Sequence, residues 1–320
     1  MPDDHQPHPA NFGPGVASTP HAHALPADSP PARLAVGVVG TGRAGTAMAV
    51  ALSRAGHRVV AASAVSQASL DRVHRSLPGV PVLRPERVVA DADLVLLTVP
   101  DDVLPGLVSG LVTTEVPMAG RLILHASGRH GLAVLDPAVR QGALPLAVHP
   151  VMTFTGRPDD AEKMTGISFG VTAPEPLRPV AEALVVEMGG EPVFIAEDKR
   201  GIYHAALVNA ANHLITLVAQ SADLLREAGV ADPARMLGPL LGAALENVLL
   251  LGDAALTGPV ARGDAETVAA HVDVIKQTAP GALGAYLALA RLTADRALAA
   301  GTLTASDAQR LLGVLSAPTP

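Results

Sequence analysis

Between residues 34 and 196 the chain repeats one pattern, a short and nearly continuous apolar run followed by a longer amphipathic stretch. The runs are LAVGVVG (34–40), HRVVAA (57–62), DLVLLTV (93–99), RLILHAS (121–127), PLAVHP (145–150), ISFGVTA (167–173) and PVFIA (192–196). Strands read as unbroken apolar runs when helices cover both faces of their sheet, so the pattern predicts an α/β domain built on a parallel sheet. After Glu197-Asp198 the period turns helical throughout, with helices expected at 199–227, 232–254, 265–277, 280–300 and 305–315. The expected organisation is a tail at 1–33, a sheet domain at 34–197 and an all-α domain at 198–316.

The tail lacks either period. It holds eight of the 28 prolines and four of the 12 histidines, a composition that does not bury a core, and is expected to be disordered. His5, His8, His21 and His23 read there as solvated residues. The rest of the 320-residue chain, 49% hydrophobic overall, has ample material for a core.

Charge and composition remove several classes of function. A formal charge of −7 without any Lys/Arg run argues against a nucleic-acid partner. The chain has no cysteine, which excludes thiolate nucleophiles, disulfides and Cys-held metal centres and favours a cytoplasmic setting. Charges, histidines or Gly/Pro interrupt each apolar run before the roughly 20 residues a membrane span needs, so no membrane association is expected. No metal is expected either, because His-x-x-x-His and acidic-loop spacings are missing from the folded part.

The first strand leads into Gly40-x-Gly42-x-x-Gly45, which opens a helix that runs to a second strand. In that frame the first glycine makes the tight turn, the second lets a pyrophosphate approach the backbone, and the third packs helix on strand. The helix N-terminus adds free N–H groups for phosphate. Gly40, Thr41, Gly42, Arg43, Ala44 and Gly45 are therefore expected to bind a dinucleotide, with Ser63 beyond the second strand and Val99-Pro100 beyond the third. Where NAD binders carry Asp or Glu after the second strand, this chain reads Ala62-Ser63-Ala64-Val65-Ser66. A carboxylate there would repel a 2′-phosphate, and its absence, with Arg72 and Arg43 nearby, favours NADP over NAD, with NAD the alternative.

The glycine triplet, the TVPDD turn at 98–102, His125-x-Ser127-Gly128, His149-Pro150, Tyr203-His204-Ala205-Ala206 and LTGPVARGD at 256–264 occur in this order. In this the chain resembles, over residues 34–316, a bacterial family of two-domain oxidoreductases with a Rossmann-like N-terminal half and a helical C-terminal domain of unknown function. That family is similar to the superfamily of 6-phosphogluconate, 3-hydroxyisobutyrate and prephenate dehydrogenases, ketopantoate reductase and pyrroline-carboxylate reductase. The resemblance implies a Rossmann-type domain followed by an all-α domain, a homodimer through the helices, and hydride transfer at the domain junction to or from a small carboxylic acid. A ketopantoate-like 2-oxo acid or a branched acid is the expected substrate; a non-catalytic dinucleotide-responsive binding protein is the alternative. One feature departs from the superfamily: its hydroxyacid members carry Lys and, four residues later, Asn on the first long helix, whereas here the pairs are Val208 with Asn212 or His204 with Val208.

A carbonyl reduction needs a proton donor, and histidine titrates in the useful range. His125 and His149 end the fourth and fifth strands, and His204 lies in the first turns of the long helix. His204 and Asn212 are about 80° apart at roughly 100° per residue, so they share one side of that helix. His204, His149, His125, Ser127 and Asn212 are the catalytic candidates. In the 256–264 turn Arg262 offers a fork suited to a carboxylate, and Thr257 and His271 extend the same expected substrate site. Asp264 is expected to cap the next helix.

Overall fold

The computed structural model describes residues 33–316, so the expected tail lies outside the described residues apart from Arg33. One sheet contains seven strands, each on one of the seven apolar runs: β1 (Ala35–Val39), β2 (Arg58–Ser63), β3 (Leu94–Leu97), β4 (Leu122–His125), β5 (Leu144–Pro150), β6 (Ser168–Thr172) and β7 (Glu191–Phe194). Their order is β2-β1-β3-β4-β5-β6-β7.

The first five strands are parallel, but β6 runs antiparallel to β5 and carries β7 with it. The sheet is mostly parallel, as expected of a Rossmann-type domain, with one antiparallel pairing at β5–β6. A parallel return needs a crossover, usually a helix, that carries the chain back over the sheet. The connection from Val151 to Ile167 holds only two 3-10 turns, and the Val151 N–H already pairs with the Ser168 carbonyl at 3.0 Å, so β6 starts at the edge where β5 stops.

The first half has six helices: α1 (Arg43–Arg54), α2 (Gln67–Ser76), α3 (Pro85–Ala90), α4 (Leu104–Thr113), α5 (Asp136–Val139) and α6 (Arg178–Glu187). They explain the unbroken apolar runs. Along β3, Leu94 and Leu96 enter a core with Met48, Leu52, Phe169 and Leu184 on one face, while Val95 and Leu97 enter a second core with Leu104, Val108 and Leu135 on the other.

From residue 200 the chain is helical: α7 (Arg200–Glu227), α8 (Pro233–Leu251), α9 (Gly258–Ala261), α10 (Ala265–Thr278), α11 (Pro280–Ala299) and α12 (Ala305–Leu315). Side-chain caps set three starts, with Asp232, Asp264 and Thr304 accepting the N–H three residues on. A third core of Val268, Val272, Leu283, Leu287 and Leu311 joins α10, α11 and α12, and Leu224 near the end of α7 packs on it.

The middle of α7 is uncovered. Arg200 is the only buried residue of α7, and α8 buries only Pro233 and Leu237. Both helices are long and apolar enough to cross a membrane by length and composition, over 197–227 and 233–261. That corrects the expectation that no stretch approaches a span: the interrupting Asn, His and Gln residues are too few among Ala, Leu and Val to lower the mean hydropathy.

Candidate functional site

The glycine turn sits at the C-terminal ends of β1, β2 and β3. Gly40 has φ +96°, a conformation that side chains rarely adopt, and its N–H and that of Thr41 both point to the Ser63 carbonyl at 3.2 and 3.3 Å. The Thr98 hydroxyl donates to the Gly40 carbonyl at 2.6 Å. A Cβ on Gly45 would lie 2.1 Å from that hydroxyl, whereas one on Gly42 would meet only the Thr98 carbonyl oxygen, at 3.9 Å. Two glycines are thus required by packing, and the third opens a face toward solvent. Gly42 also starts α1 without a side-chain cap, leaving the first-turn N–H groups of a 12-residue helix available. These features fit a bound pyrophosphate.

The other expected cofactor residues fall around this turn. Ala44 is in the first turn of α1, the Val99 side chain lies against Gly40, and Pro100 is exposed beyond β3. Ser63 is buried and serves through its carbonyl, which shapes the turn. Arg72 on α2 donates to the Thr41 carbonyl at 3.2 Å and to the Ser69 hydroxyl at 3.0 Å, and Arg43 reaches the Phe154 carbonyl at 3.5 Å. Both line a cavity of about 240 Å³ together with Arg54, Arg75 and Arg157. Among the described residues neither Arg43 nor Arg72 has a carboxylate within ion-pair distance.

A second cavity, about 400 Å³, lies between the end of β5 and α7. His149, Thr153, His204, Val208 and Asn212 line it. Residues 204, 208 and 212 are one stripe of the helix, so the expected shared wall of His204 and Asn212 forms. The His149 and His204 rings meet edge to face with centroids 6.1 Å apart, and His149 Nδ1 is 2.8 Å from the Tyr203 hydroxyl. Two glycines make room: a Cβ on Gly128 would sit 2.7 Å from His204 Cδ2 and 3.0 Å from His149 Nε2, and one on Gly170 would sit 2.2 Å from the Tyr203 oxygen.

Beneath this cluster lies Arg200, 1% exposed and without a carboxylate partner among the described residues. Its guanidinium donates to the Thr172 hydroxyl at 2.9 Å and to the carbonyls of Ala147 at 2.9 Å, Gly170 at 3.3 Å and Ser127 at 3.5 Å. The first residue of the helical half is thereby fastened to β5, β6 and the loop after β4. Burial first, then the Arg200 charge and then His204, hold His149 down to about pKa 4, with Asp101 opposing. At neutral pH His149 is an uncharged imidazole.

His125 is also held at about 4, by burial above all, and has no free nitrogen. Nε2 donates to the Gly131 carbonyl at 2.8 Å and Nδ1 accepts the Ser127 N–H at 3.2 Å. The expectation of a direct role for His125 is corrected on this ground. Ser127 accepts the His130 N–H at 3.0 Å and organises the turn.

The expected substrate anchors are not brought to the His149 cavity within the chain. Thr257 and His271 line a separate cavity of about 360 Å³ against the lower part of α7, where His271 Nδ1 meets the Tyr286 hydroxyl at 3.0 Å. Arg262 is exposed near Asp264, outside both linings. The 28-residue length of α7 separates the two ends of the helical half.

Sequence reasoning passed over Tyr203 and Arg200 as chemistry. The available signal was helical spacing, since Arg200, Tyr203 and His204 stand at i, i+3 and i+4. What it lacked was the antiparallel β6, which places Gly170 and Thr172 against them.

Comparison with known proteins gives a consistent picture. A model of Rossmann-like domains matches residues 19–150, and a domain of unknown function, DUF2520, matches residues 167–293, a range that includes β6 and β7. No curated protein matches the chain. Among solved structures, a putative NADP oxidoreductase from Bacteroides fragilis is similar with TM-score 0.68 and 21% identity over 82% of this chain and 98% of its own. A protein from Thermotoga maritima reaches 0.61 and 21% over 83% and 99%. A reductive aminase from Aspergillus terreus, solved with NADPH and ethyl levulinate, reaches 0.61 and 18% over 88% and 99%. At these identities the likeness is one of fold. The chain thus carries a Rossmann-like domain followed by a DUF2520 domain, the two matches lying one after the other along it.

Proposed function

We propose that the chain is an NADPH-dependent reductase of a small substrate carrying a C=O or C=N group. The observation that carries this reading is the coincidence, at the C-terminal edge of one sheet, of an open glycine turn that fits a pyrophosphate and a cavity lined by His149, His204 and Asn212. Ligands of open α/β sheets bind at this edge. A bound dihydronicotinamide supplies a hydride. The chain's own residues then do three things: Gly42 and the first turn of α1 hold the phosphates, His149 delivers a proton, and His204, Thr153 and Asn212 orient the substrate.

Arg43 and Arg72 favour the 2′-phosphate form, because they line one cavity beside the glycine turn without an ion-paired carboxylate among the described residues. The folds of the oxidoreductase from Bacteroides fragilis and the NADPH-bound reductive aminase support the same cofactor. The 2-oxo-acid reading rests on family resemblance, and the cavity wall supplies no arginine or lysine to hold a carboxylate. Imines therefore stand beside 2-oxo acids as substrates.

The test is a fluorescence titration with NADPH and NADH, followed by NADPH oxidation across panels of 2-oxo acids and cyclic imines. NADPH binding at least tenfold tighter than NADH, with turnover in one panel, is the expected result. Binding of neither nucleotide would overturn the assignment, and binding without turnover would leave a dinucleotide-responsive binding protein.

We also propose a homodimer through α7 and α8. Leu240, Leu245, Leu249, Leu250 and Leu251 on α8 and Ile215 on α7 are each more than half exposed. Exposed leucines gathered along one helix in this way mark a surface for another protein to cover.

A further inference from the structure

We propose that Tyr203 and His149 form a proton relay, in which Tyr203 gives its hydroxyl proton to Nδ1 of His149 while Nε2 of His149 gives its proton to the substrate, and that Arg200 is the positioning residue of this relay. The acceptor of that proton is the one the reductase reading supplies; the Tyr203-to-His149 step is read from the chain alone.

The argument starts from charge. His149 is uncharged at neutral pH, so it cannot act as an imidazolium acid. A neutral imidazole gives up its only N–H without becoming a strongly basic anion if its other nitrogen gains a proton in the same step. The group placed at that nitrogen is the Tyr203 hydroxyl, 2.8 Å from Nδ1. The opposite nitrogen, Nε2, is packed beside Gly128, where a Cβ would come within 3.0 Å of it, and His149 lines the cavity.

The step balances. Hydride adds to the carbon of C=X, and the π electrons move onto X, which forms a bond to the proton from Nε2. The electrons of that N–H bond stay in the ring as Nδ1 takes the Tyr203 proton. The O–H electrons remain on the Tyr203 oxygen, and water returns the proton after product leaves. The transient phenolate lies next to a permanent cation, since the Arg200 guanidinium carbon is 5.8 Å from the centre of the Tyr203 ring.

Arg200 explains why the pair is fixed. Its four acceptors come from β5, β6 and the turn after β4, so the start of α7 takes one register on the sheet and presents Tyr203 one turn later. Glycine at 170 is needed for the hydroxyl to enter at all. The charged and titratable groups facing the relay are Arg200 for Tyr203, and Arg200, His204 and Asp101 for His149. Burial raises Tyr203 and Arg200 opposes that rise.

The first experiment needs neither cofactor nor turnover. In nitrogen-15 NMR of the full-length protein, with His149 assigned by loss of its signals in His149→Gln, the expected tautomer carries the proton on Nε2. In Tyr203→Phe it becomes a mixture. A proton on Nδ1 in the wild type would overturn the relay, because His149 would then donate to Tyr203.

The second uses the tyrosine content. The chain has two tyrosines and no tryptophan, so Tyr286→Phe leaves Tyr203 as the sole source of tyrosinate absorbance. In that background Arg200→Met is expected to raise the Tyr203 midpoint by at least one pH unit, and Arg200→Lys, which keeps the charge if the larger change disturbs folding, by less. No shift in either variant would remove Arg200 from the relay.

Once an active substrate is in hand, Tyr203→Phe is expected to lower kcat about 100-fold with KM nearly unchanged. Adding it to His149→Gln should then cost little more than His149→Gln alone. An Nε2–H tautomer without NADPH turnover would defeat the reductase reading, whereas turnover that Tyr203→Phe leaves intact would defeat the relay.

Discussion

The carboxylate of Glu197 accepts the N–H of Leu132 at 2.7 Å, and with its other oxygen that of Ala133 at 3.1 Å. The segment that leads out of the sheet therefore holds the loop after β4, the loop that also carries Gly128 and Ser127. Glu197→Ala is expected to lower stability by about 1 kcal/mol, the discounted value of charge-assisted hydrogen bonds at an exposed site, read as a Tm drop of about 2–4 °C. Glu197→Gln, which keeps one acceptor, should lose less. Gly131→Ala should reproduce the alanine effect, because a Cβ there would lie 2.1 Å from the same carboxylate. Equal Tm values for all three proteins would show that the contact holds nothing.

The glycine turn predicts that two neighbouring substitutions separate folding from binding. Gly42→Ala places its methyl in open space and should leave thermal unfolding unchanged while weakening NADPH binding at least tenfold, since the pyrophosphate needs that space. Gly45→Ala drives its methyl into the Thr98 hydroxyl and the Gly40 carbonyl and should cost about 2 kcal/mol or more in stability. Calorimetric melts beside NADPH titrations check both. A Gly42→Ala protein with wild-type affinity would take the pyrophosphate away from this turn.

These contrasts show what the sequence could and could not convey. Strand positions and the glycine turn were legible because each depends on local order: apolar runs mark buried strands, and Gly40, Gly42 and Gly45 work within one turn. The stripe of His204 and Asn212 was legible for the same reason, as a consequence of helical period. The reversal at β6 was not, because it depends on the missing crossover helix between Val151 and Ile167. With it went the role of Arg200, whose acceptors are mostly backbone carbonyls that leave no trace in residue identity. His125 misled because a histidine bonded at both nitrogens by backbone looks, in sequence, like one that is free.

Acid should destabilise the protein at a definite pH. His125 is fully buried and titrates at about 4 when folded, against about 6.5 in an unfolded chain. Between these values the unfolded state binds the proton that the native state refuses, so stability falls as pH drops from 6.5 toward 4. For His125 the loss reaches roughly 3 kcal/mol at pH 4, at about 1.4 kcal/mol per pH unit. His149, depressed for the same reasons, adds to it in the same direction. Denaturant titrations at pH 4.5, 5.5 and 7 should show this decline, and His125→Asn should flatten it. A wild-type protein equally stable at all three values would mean that neither histidine is held neutral by the fold.

The apolar face of α7 and α8 predicts an assembly and lets it be told from a membrane contact. A lipid core would have to accommodate Asn209, Asn212, His213 and Gln220 along α7, each with polar atoms that hydrocarbon does not satisfy. α7 is also tied at both ends, through Arg200 to the sheet and through Leu224 to the α10–α12 core, which leaves a middle section for another protein surface to cover. In the proposed homodimer a second copy of the chain would bring the same stripe, and one rotation axis would pair Leu249 and Leu250, each 79% exposed, with a matching surface. Light scattering in detergent-free buffer should therefore give twice the 32.4 kDa chain mass. Leu249→Glu with Leu250→Glu should give a monomer, because the carboxylates that both copies then bring to the interface repel and lose water. A monomeric wild type that binds lipid vesicles would replace the second copy with a membrane.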